Sequence, residues 1–222
     1  MSPTAADALA RLWVDRGFDI DETTPAKLSR TALFGRDAPL VVEIGCGMGE
    51  AMLAMAAADP ERDYLGVDVH TPGLGAMLAK AEIDGVRNVA VARGDAVELL
   101  RHGVGPADLD AINVFFPDPW PKARHHKRRL IRPEIVALMR DRLRRGGVLH
   151  AATDWVHYAE QMRDVLTADP GLRNTSDGYT PRPSDRPLTK FERRGIAAGR
   201  SIHDLVFVRR LDPDSSEPVT PD

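Results

Sequence analysis

Short apolar runs alternate with longer helical stretches along most of this chain, and this alternation restricts the folds that the chain can adopt. Parallel strands joined through helices are buried on both faces of their sheet, so they are near-continuous apolar runs. Because the crossovers are right-handed, the sheet is doubly wound and its ligand crevice lies at the carboxyl ends of the strands. The sequence therefore predicts an α/β fold with a mainly parallel sheet and helices on both faces. The predicted strands are residues 40–44, 63–68, 88–92, 109–115 and 147–152.

Helical stretches fill the intervals between these strands, as the parallel arrangement requires. A last apolar run, residues 203–208, is expected to close the edge of the sheet. The predicted helices are residues 5–15, 50–58, 74–83, 96–101, 133–143 and 155–167.

The length of the chain limits the number of its domains. With 222 residues, it is long enough for one sizeable α/β domain and too short for two of ordinary size. We expect an amino-terminal helical segment over residues 1–32 and a single domain over residues 33–211. Residues 212–222 contain helix and strand breakers and almost nothing to bury, so a disordered acidic tail is predicted there.

The composition disfavours secretion and membrane insertion. The single cysteine, Cys46, has no partner for an internal disulfide, which favours a reducing, cytoplasmic setting. Residues 1–10 carry no Lys or Arg ahead of their short apolar stretch, so they do not resemble a signal peptide. The longest apolar run, residues 51–58, is far too short to span a bilayer. We therefore expect a cytoplasmic protein that has no membrane partner.

The net charge of −3 hides a strongly basic segment. Residues 212–222 carry four acids and no base, so the rest of the chain has a net charge of +1. Between Asp118 and Glu134 there are six Lys or Arg residues, two His residues and no acid. This concentration predicts a local binding surface for anions.

A glycine-rich loop follows the first predicted strand. It runs Glu43-Ile-Gly45-Cys-Gly47-Met-Gly49, where glycines allow a tight turn and a close approach of the backbone to a ligand. Asp68 ends the second strand and Asp95 follows the third, so acids lie at the two neighbouring strand ends. Glycines and acids also occur in ordinary turns and helix caps, but three such strand ends in succession favour a nucleoside cofactor.

This pattern resembles the class I methyltransferases that use S-adenosylmethionine, whose Rossmann-like sheet has seven strands. The resemblance implies that the loop with Glu43, Gly45 and Gly47 lies by the methionine part of the cofactor. It also implies that Asp68 accepts hydrogen bonds from the ribose and that Asp95 lies by the adenine N6.

The stretch from Phe115 to Arg129 carries the strongest signal for the second substrate. Pro117, Pro119 and Pro121 fix the backbone around Asp118. A rigid carboxylate can accept hydrogen bonds from the N–H groups of a base, and the neighbouring Trp120 can stack on it. The basic residues that follow are suited to hold phosphates. Taken alone, the proline-rich segment is typical of a turn and the basic run is typical of a solvated face. Their occurrence together at a strand end favours a nucleic acid acceptor.

The same stretch resembles the bacterial tRNA (guanine-N7-)-methyltransferases. The resemblance extends from about residue 33 to residue 211, and many members have Glu where this chain has Asp68. No strongly basic amino-terminal arm of the kind that some members carry is present. The matching motifs are Gly66-Val-Asp-Val-His-Thr-Pro-Gly73, Phe115 to Arg129, Ala152-Thr-Asp-Trp155, Tyr179-Thr-Pro-Arg-Pro183, Arg186-Pro187 and Thr189-Lys-Phe-Glu-Arg-Arg-Gly195.

The resemblance implies transfer of a methyl group from S-adenosylmethionine to N7 of guanosine 46 in the variable loop of tRNA. It implies that Asp118 is the catalytic residue and, with Glu43, Asp68 and Asp95, one of the cofactor-binding acids. The implied substrate-binding residues are Lys122, Asp154, Thr189, Lys190, Phe191 and Glu192. The implied RNA contacts are Arg124, His125, His126, Lys127, Arg128 and Arg129.

Three other functions have to be weighed. An NAD-dependent oxidoreductase on the same fold is disfavoured, because the loop is Gly-x-Gly-x-Gly rather than Gly-x-Gly-x-x-Gly. A non-catalytic RNA-binding protein is disfavoured by the retained acids. A methyltransferase acting on another RNA or another base atom stays open, because the fold does not fix the substrate. No metal is expected, since His125 and His126 have no Cys or spaced acids beside them. The chain is expected to be a monomer or a homodimer.

Overall fold

A computed structural model describes residues 3–24 and 27–211 of the protein. The predicted disordered tail over residues 212–222 lies outside the described residues. Within the described ranges, eight strands form one sheet, in the order β1-β4-β3-β2-β5-β6-β8-β7. The strands are β1 Gly17–Asp19, β2 Leu40–Ile44, β3 Asp63–Asp68, β4 Val89–Arg93, β5 Leu109–Phe115, β6 Leu143–Thr153, β7 Leu172–Asn174 and β8 His203–Arg209.

Helices connect the strands and cover both faces of the sheet. The short helix α5 continues directly as a π-helical turn over Leu99–Gly103, and a 3₁₀ helix spans Ala123–Arg128. The α-helices are α1 Pro3–Arg16, α2 Arg30–Phe34, α3 Glu50–Ala58, α4 Thr71–Ile83, α5 Ala96–Glu98, α6 Pro133–Arg142, α7 Val156–Ala168 and α8 Lys190–Ala197.

The predicted doubly wound, mainly parallel sheet is confirmed. Strands β1 to β6 pair in parallel, and β8 runs antiparallel to both β6 and β7. The sheet has one strand more than the seven expected from the resemblance. The expectation that residues 203–208 close the edge is wrong, because β7 pairs on the outer side of β8. Strands β1 and β7 have three residues each, which is too short for a recognisable alternation of apolar side chains.

Burial on both faces explains why the central strands are apolar at nearly every position. Val42 and Leu65 pack into the core on one face, whereas Val41 and Tyr64 pack into the core on the other. All five residues of β2 are buried. Polar side chains are costly in such strands, so the groups able to bind a ligand are confined to the strand ends.

The amino-terminal segment is attached to the sheet. Strand β1 pairs with β4, and Nε of Arg93 lies 2.5 Å from Oδ1 of Asp19. Helix α1 packs against α4, where Arg11 forms an ion pair of 2.8 Å with Glu82. The division of the chain into residues 1–32 and 33–211 stays a prediction. Among the described residues, no helix is long and apolar enough to cross a membrane.

Strand β6 begins four residues before the predicted start, and Gly147 lies where its register with β5 shifts. A Cβ atom at residue 147 would lie 2.8 Å from the carbonyl oxygen of Arg144 and 3.1 Å from that of Asp110. Backbone atoms cannot move aside as the end of a flexible side chain can, so the sharp turn into the central part of β6 requires glycine.

We predict that Gly147→Ala lowers the free energy of unfolding by about 1–3 kcal/mol, because the added methyl group meets backbone oxygen on several sides. Urea denaturation measures this difference. The matched control is Gly105→Ala, since the nearest atom to its added Cβ lies 3.9 Å away. Equal stability of the two variants would contradict the prediction.

Candidate active site

The glycine-rich loop lies at the carboxyl end of β2, as predicted, and is fixed to the end of β3. Gly45 and Gly47 have φ angles of 76° and 56°, in the left-handed region that favours glycine. The N–H of Gly47 donates to Oδ2 of Asp68 over 2.8 Å, and the N–H of His70 donates to Oδ1 over 2.8 Å. Asp68 therefore holds two neighbouring loops together, and its carboxylate keeps lone pairs for further donors.

Glu43 is a buried acid at the floor of the site. Its side chain is directed from β2 toward a cavity, and the residue is 4% exposed. No hydrogen-bond partner for its Oε2 is present among the described residues. Burial without a compensating donor raises the pKa of this carboxyl group to about 8. Glu43 is therefore mainly protonated at neutral pH in the free protein.

A cavity of about 540 Å³ opens between the glycine-rich loop and helix α8. Helix α8 is connected to the start of α3 through Glu50, whose carboxylate accepts from the backbone N–H of Lys190 over 2.7 Å and from Nη2 of Arg193. The ring of Phe191 stacks on that of Phe116, with centroids 6.5 Å apart and an interplanar angle of 22°. A mostly apolar cavity closed by polar groups from distant elements is typical of a ligand site.

The loop after β5 presents Asp118 to solvent. Prolines flank Asp118, and the loop is strained, since Phe116 and Trp120 have positive φ angles of 53° and 42°. The guanidinium of Arg128 lies 4.9 Å from the centroid of the Trp120 ring, and the His125 ring meets that ring edge-on. The loop is therefore held in one shape by its own aromatic and basic residues.

The basic run forms a short 3₁₀ helix, and most of its charges face solvent. Lys122, Arg124, Lys127 and Arg128 are exposed, and His125 and His126 are partly exposed. These six residues form one basic surface beside Asp118.

Arg129 does not fit the predicted RNA contact. It is 2% exposed, its Nε donates to the carbonyl of Pro119 over 2.8 Å, and its guanidinium lies 4.7 Å from the centroid of the Tyr158 ring. Its side chain stabilises the Asp118 loop from inside the protein, and its burial prevents contact with a phosphate.

The remaining predicted residues lie around the same edge of the sheet. Asp95 is exposed and caps α5 by accepting from the N–H of Val97 over 2.8 Å. Oδ2 of Asp154, at the end of β6, lies 3.0 Å from Nε of Arg200. Thr189 caps α8, since its hydroxyl oxygen accepts from the N–H of Glu192 over 3.1 Å. The side chain of Glu192 points into the protein interior and is 3% exposed.

The cavity brings together half of the predicted cofactor and substrate positions. Its lining includes Glu43, Gly45, Gly47, Thr189, Lys190 and Phe191, whereas Asp68, Asp95, Asp118, Lys122, Asp154 and Glu192 lie outside it. Sequence reasoning missed several residues of the lining. The available signals were an acid in the first turn of the helix after β2 and a second aromatic residue after Phe115, but neither pattern indicates what the side chain faces. The missed residues are Cys46, Met48, Glu50, Ala51, His70, Lys80, Phe115, Phe116, Arg193 and Arg194.

The chain is similar in sequence to known proteins along most of its length. The family described as "Putative methyltransferase" matches residues 37–205. A tRNA (guanine-N(7)-)-methyltransferase of Streptomyces avermitilis is 55% identical over 94% of this chain and 71% of its own length. One of Halorhodospira halophila is 52% identical over 94% of this chain and 90% of its own length.

Solved structures show the same Rossmann-like methyltransferase fold. A 16S rRNA methyltransferase with 17% sequence identity superposes with a TM-score of 0.62, over 83% of this chain and 95% of that chain. At this identity the likeness concerns the fold alone. On the sequence matches, which cover most of its length, the chain belongs to the tRNA (guanine-N(7)-)-methyltransferase family.

Proposed function

We propose that the protein is a tRNA (guanine-N7)-methyltransferase that transfers the methyl group of S-adenosylmethionine to N7 of guanosine 46 in the variable loop. The observation that carries the proposal is the placement of a glycine-lined cavity beside an exposed, proline-flanked carboxylate and a basic surface. The names of relatives more than half identical to this chain support the same activity. The cytoplasm, where tRNA is modified, is the proposed location, and the protein acts as a monomer or a homodimer.

The residues of the cavity fit S-adenosylmethionine. The unpartnered carboxyl oxygen of Glu43 is suited to the cationic amino group of the cofactor, and Gly45 and Gly47 leave open space where other residues would place a side chain. Asp68 would hold the ribose hydroxyls and Asp95 the adenine amino group. When bound, the cofactor supplies a methyl group that is made electrophilic by the positively charged sulfur.

The chemistry of the acceptor sets what the protein has to do. Guanine N7 carries an in-plane lone pair and no proton, so its attack on a methyl group needs no general base. The protein therefore has to align the base and offset the positive charge that develops on it. The carboxylate of Asp118 fits the second task, since it can accept from N1–H or the 2-amino group of guanine.

The other polar residues would position the tRNA. Thr189, Lys190 and Phe191 lie on the cavity side of α8, where they can hold the target nucleotide. Asp154 can accept from the same base after its ion pair with Arg200 opens. Lys122, Arg124, His125, His126, Lys127 and Arg128 would contact phosphates, which supplies affinity without reading sequence.

The activity is tested by transfer of labelled methyl from S-adenosylmethionine to unmodified tRNA transcripts, followed by borohydride and aniline treatment, which cleaves RNA at 7-methylguanosine. Cleavage at one variable-loop guanosine is expected. Incorporation of label without cleavage would show that another atom is methylated. Cleavage at another position would show that another guanosine is methylated. Failure to bind the cofactor would overturn the proposal.

Asp118→Asn is expected to lower kcat about 100-fold or more, since it removes the charge that offsets the developing cation. Cofactor affinity, measured by calorimetry, should change by less than about threefold, because the exposed carboxylate of Asp118 is assigned to the guanine base rather than to the cofactor. The control is Asp177→Asn, which removes another exposed acid. Unchanged turnover in Asp118→Asn would exclude Asp118 from catalysis.

Cofactor binding is expected to strengthen as pH rises toward 8. The pKa of Glu43 is about 8 in the free protein, and a bound cation lowers it, so binding at lower pH has to expel a proton. The dissociation constant should fall by up to about tenfold per pH unit below 8. Glu43→Gln should remove this pH dependence of the dissociation constant. Any pH dependence that remains in the variant comes from the titration of the cofactor itself. Identical pH profiles for the two proteins would be inconsistent with the proposed role.

The basic surface should make tRNA binding strongly dependent on salt. Arg124→Gln and Lys127→Gln are each expected to reduce the slope of log K against log salt by about 0.7–0.9, the value for one lost phosphate contact. Filter binding at several salt concentrations measures the slopes. The control is Arg62→Gln, which removes an exposed arginine just before β3, at the opposite end of the sheet. Slopes that match that of the control would show that Arg124 and Lys127 do not contact phosphate.

A further inference from the structure

A cluster of charged side chains is buried beneath helix α8. Arg186, Asp204, Glu192 and His150 are 1%, 2%, 3% and 8% exposed, respectively. The fork of Arg186 donates from Nε and Nη2 to the two carboxylate oxygens of Asp204 over 2.7 and 2.8 Å. Its Nη1 donates to Oε2 of Glu192 over 2.5 Å. Nε2 of His150 lies 2.7 Å from Oδ1 of Asp204.

Burial of four such groups is costly, and a buried ion pair often stabilises a protein less than an apolar replacement does. Arg186 and Asp204 are nevertheless retained in their ionised forms here. Burial alone raises the pKa of Asp204, but its hydrogen bonds with His150 and Arg186 bring that pKa below the ordinary value. A cluster that is satisfied at each contact fixes the geometry of the elements it joins.

The cluster joins the sheet to both walls of the active site. Asp204 belongs to β8, His150 to β6 and Glu192 to α8. The Arg186 guanidinium also lies 5.7 and 5.9 Å from the ring centroids of Phe115 and Phe116, which lead into the Asp118 loop.

Glu192 has an arrangement that differs from an ordinary helix cap. A Glu three residues after a capping Thr commonly turns back to the backbone N–H of that Thr. Here Thr189 accepts from the N–H of Glu192, but the carboxylate of Glu192 reaches inward to Arg186 instead. Its other oxygen, Oε1, lies 3.9 Å from Arg182. A guanine base cannot reach this carboxylate unless the ion pair breaks and α8 moves.

We propose that Arg186 is a positioning residue for methyl transfer, and that Glu192 acts through Arg186 rather than by touching guanine. Through Asp204 on one side and Glu192 on the other, Arg186 fixes α8, with Thr189, Lys190 and Phe191, at a set distance from the Asp118 loop. The part of the inference that concerns catalysis rests on the proposed function.

The first experiment measures hydrogen exchange of the free, full-length protein, so that it does not depend on activity. Glu192→Gln and Arg186→Lys should exchange at least about tenfold faster than wild type over residues 190–197, while the central strands β2 and β5 keep their protection. The matched control is Arg163→Met, an arginine that pairs at the surface with Asp164. Wild-type protection of α8 in both variants would overturn the proposal, and so would equal loss of protection throughout the sheet, because that indicates a general effect on stability.

The second experiment is a double-mutant cycle on kcat/KM for tRNA with Arg186→Lys, Glu192→Gln and the double variant. If Glu192 acts through Arg186, the double variant is no more than about twofold worse than the more impaired single variant. Multiplicative losses would show an independent contact of Glu192 with the substrate and would overturn the inference. Wild-type protein that transfers no methyl to tRNA would instead contradict the proposed function, and the exchange measurement would still decide whether Arg186 fixes α8.

Discussion

The reversal of strand order at β2 is the constraint on which the active site depends. From β2 the chain adds β3 and β4 on one side of the sheet, and then returns to add β5 and β6 on the other. The connections that leave β2 and β5 diverge at this point and open a crevice beyond the carboxyl ends of the two strands. Glu43, near the end of β2, and Phe115, at the end of β5, line one cavity for this reason.

Burial on both faces of the sheet explains how much of the site could be predicted. Because the central strands are apolar, an acid at the end of such a strand stands out in the sequence, and parallel pairing places these acids along one edge. Asp68 and Asp95 were placed correctly at that edge by this argument. The glycine-rich loop was placed correctly as well, because the turn from β2 into α3 requires left-handed backbone that glycine adopts without strain.

The features of the site and of the fold that were not predicted depend on contacts between residues far apart in the chain. Glu50 holds the start of α8 although Lys190 lies 140 residues later. No local pattern indicates that the two meet, since each looks like an ordinary charged residue at a helix end. Strand β7 was missed for a different reason. Its three residues take their conformation from pairing with β8 rather than from their own alternation.

Charge patterns located the basic surface more reliably than they assigned roles to the residues within it. A run of Lys and Arg has the sequence signature of a solvated face, yet Arg129 in that run is buried and Lys127 two residues earlier is exposed. A guanidinium tolerates burial where an aromatic face and fixed acceptors meet it together. For Arg129 the aromatic face is the Tyr158 ring and the acceptor is the carbonyl of Pro119. For Arg186 the aromatic face is the Phe116 ring and the acceptor is the carboxylate of Asp204. Both buried arginines therefore stabilise the loops and the helix that carry the exposed charges. Only the folded structure distinguishes the buried, stabilising arginines from the exposed ones.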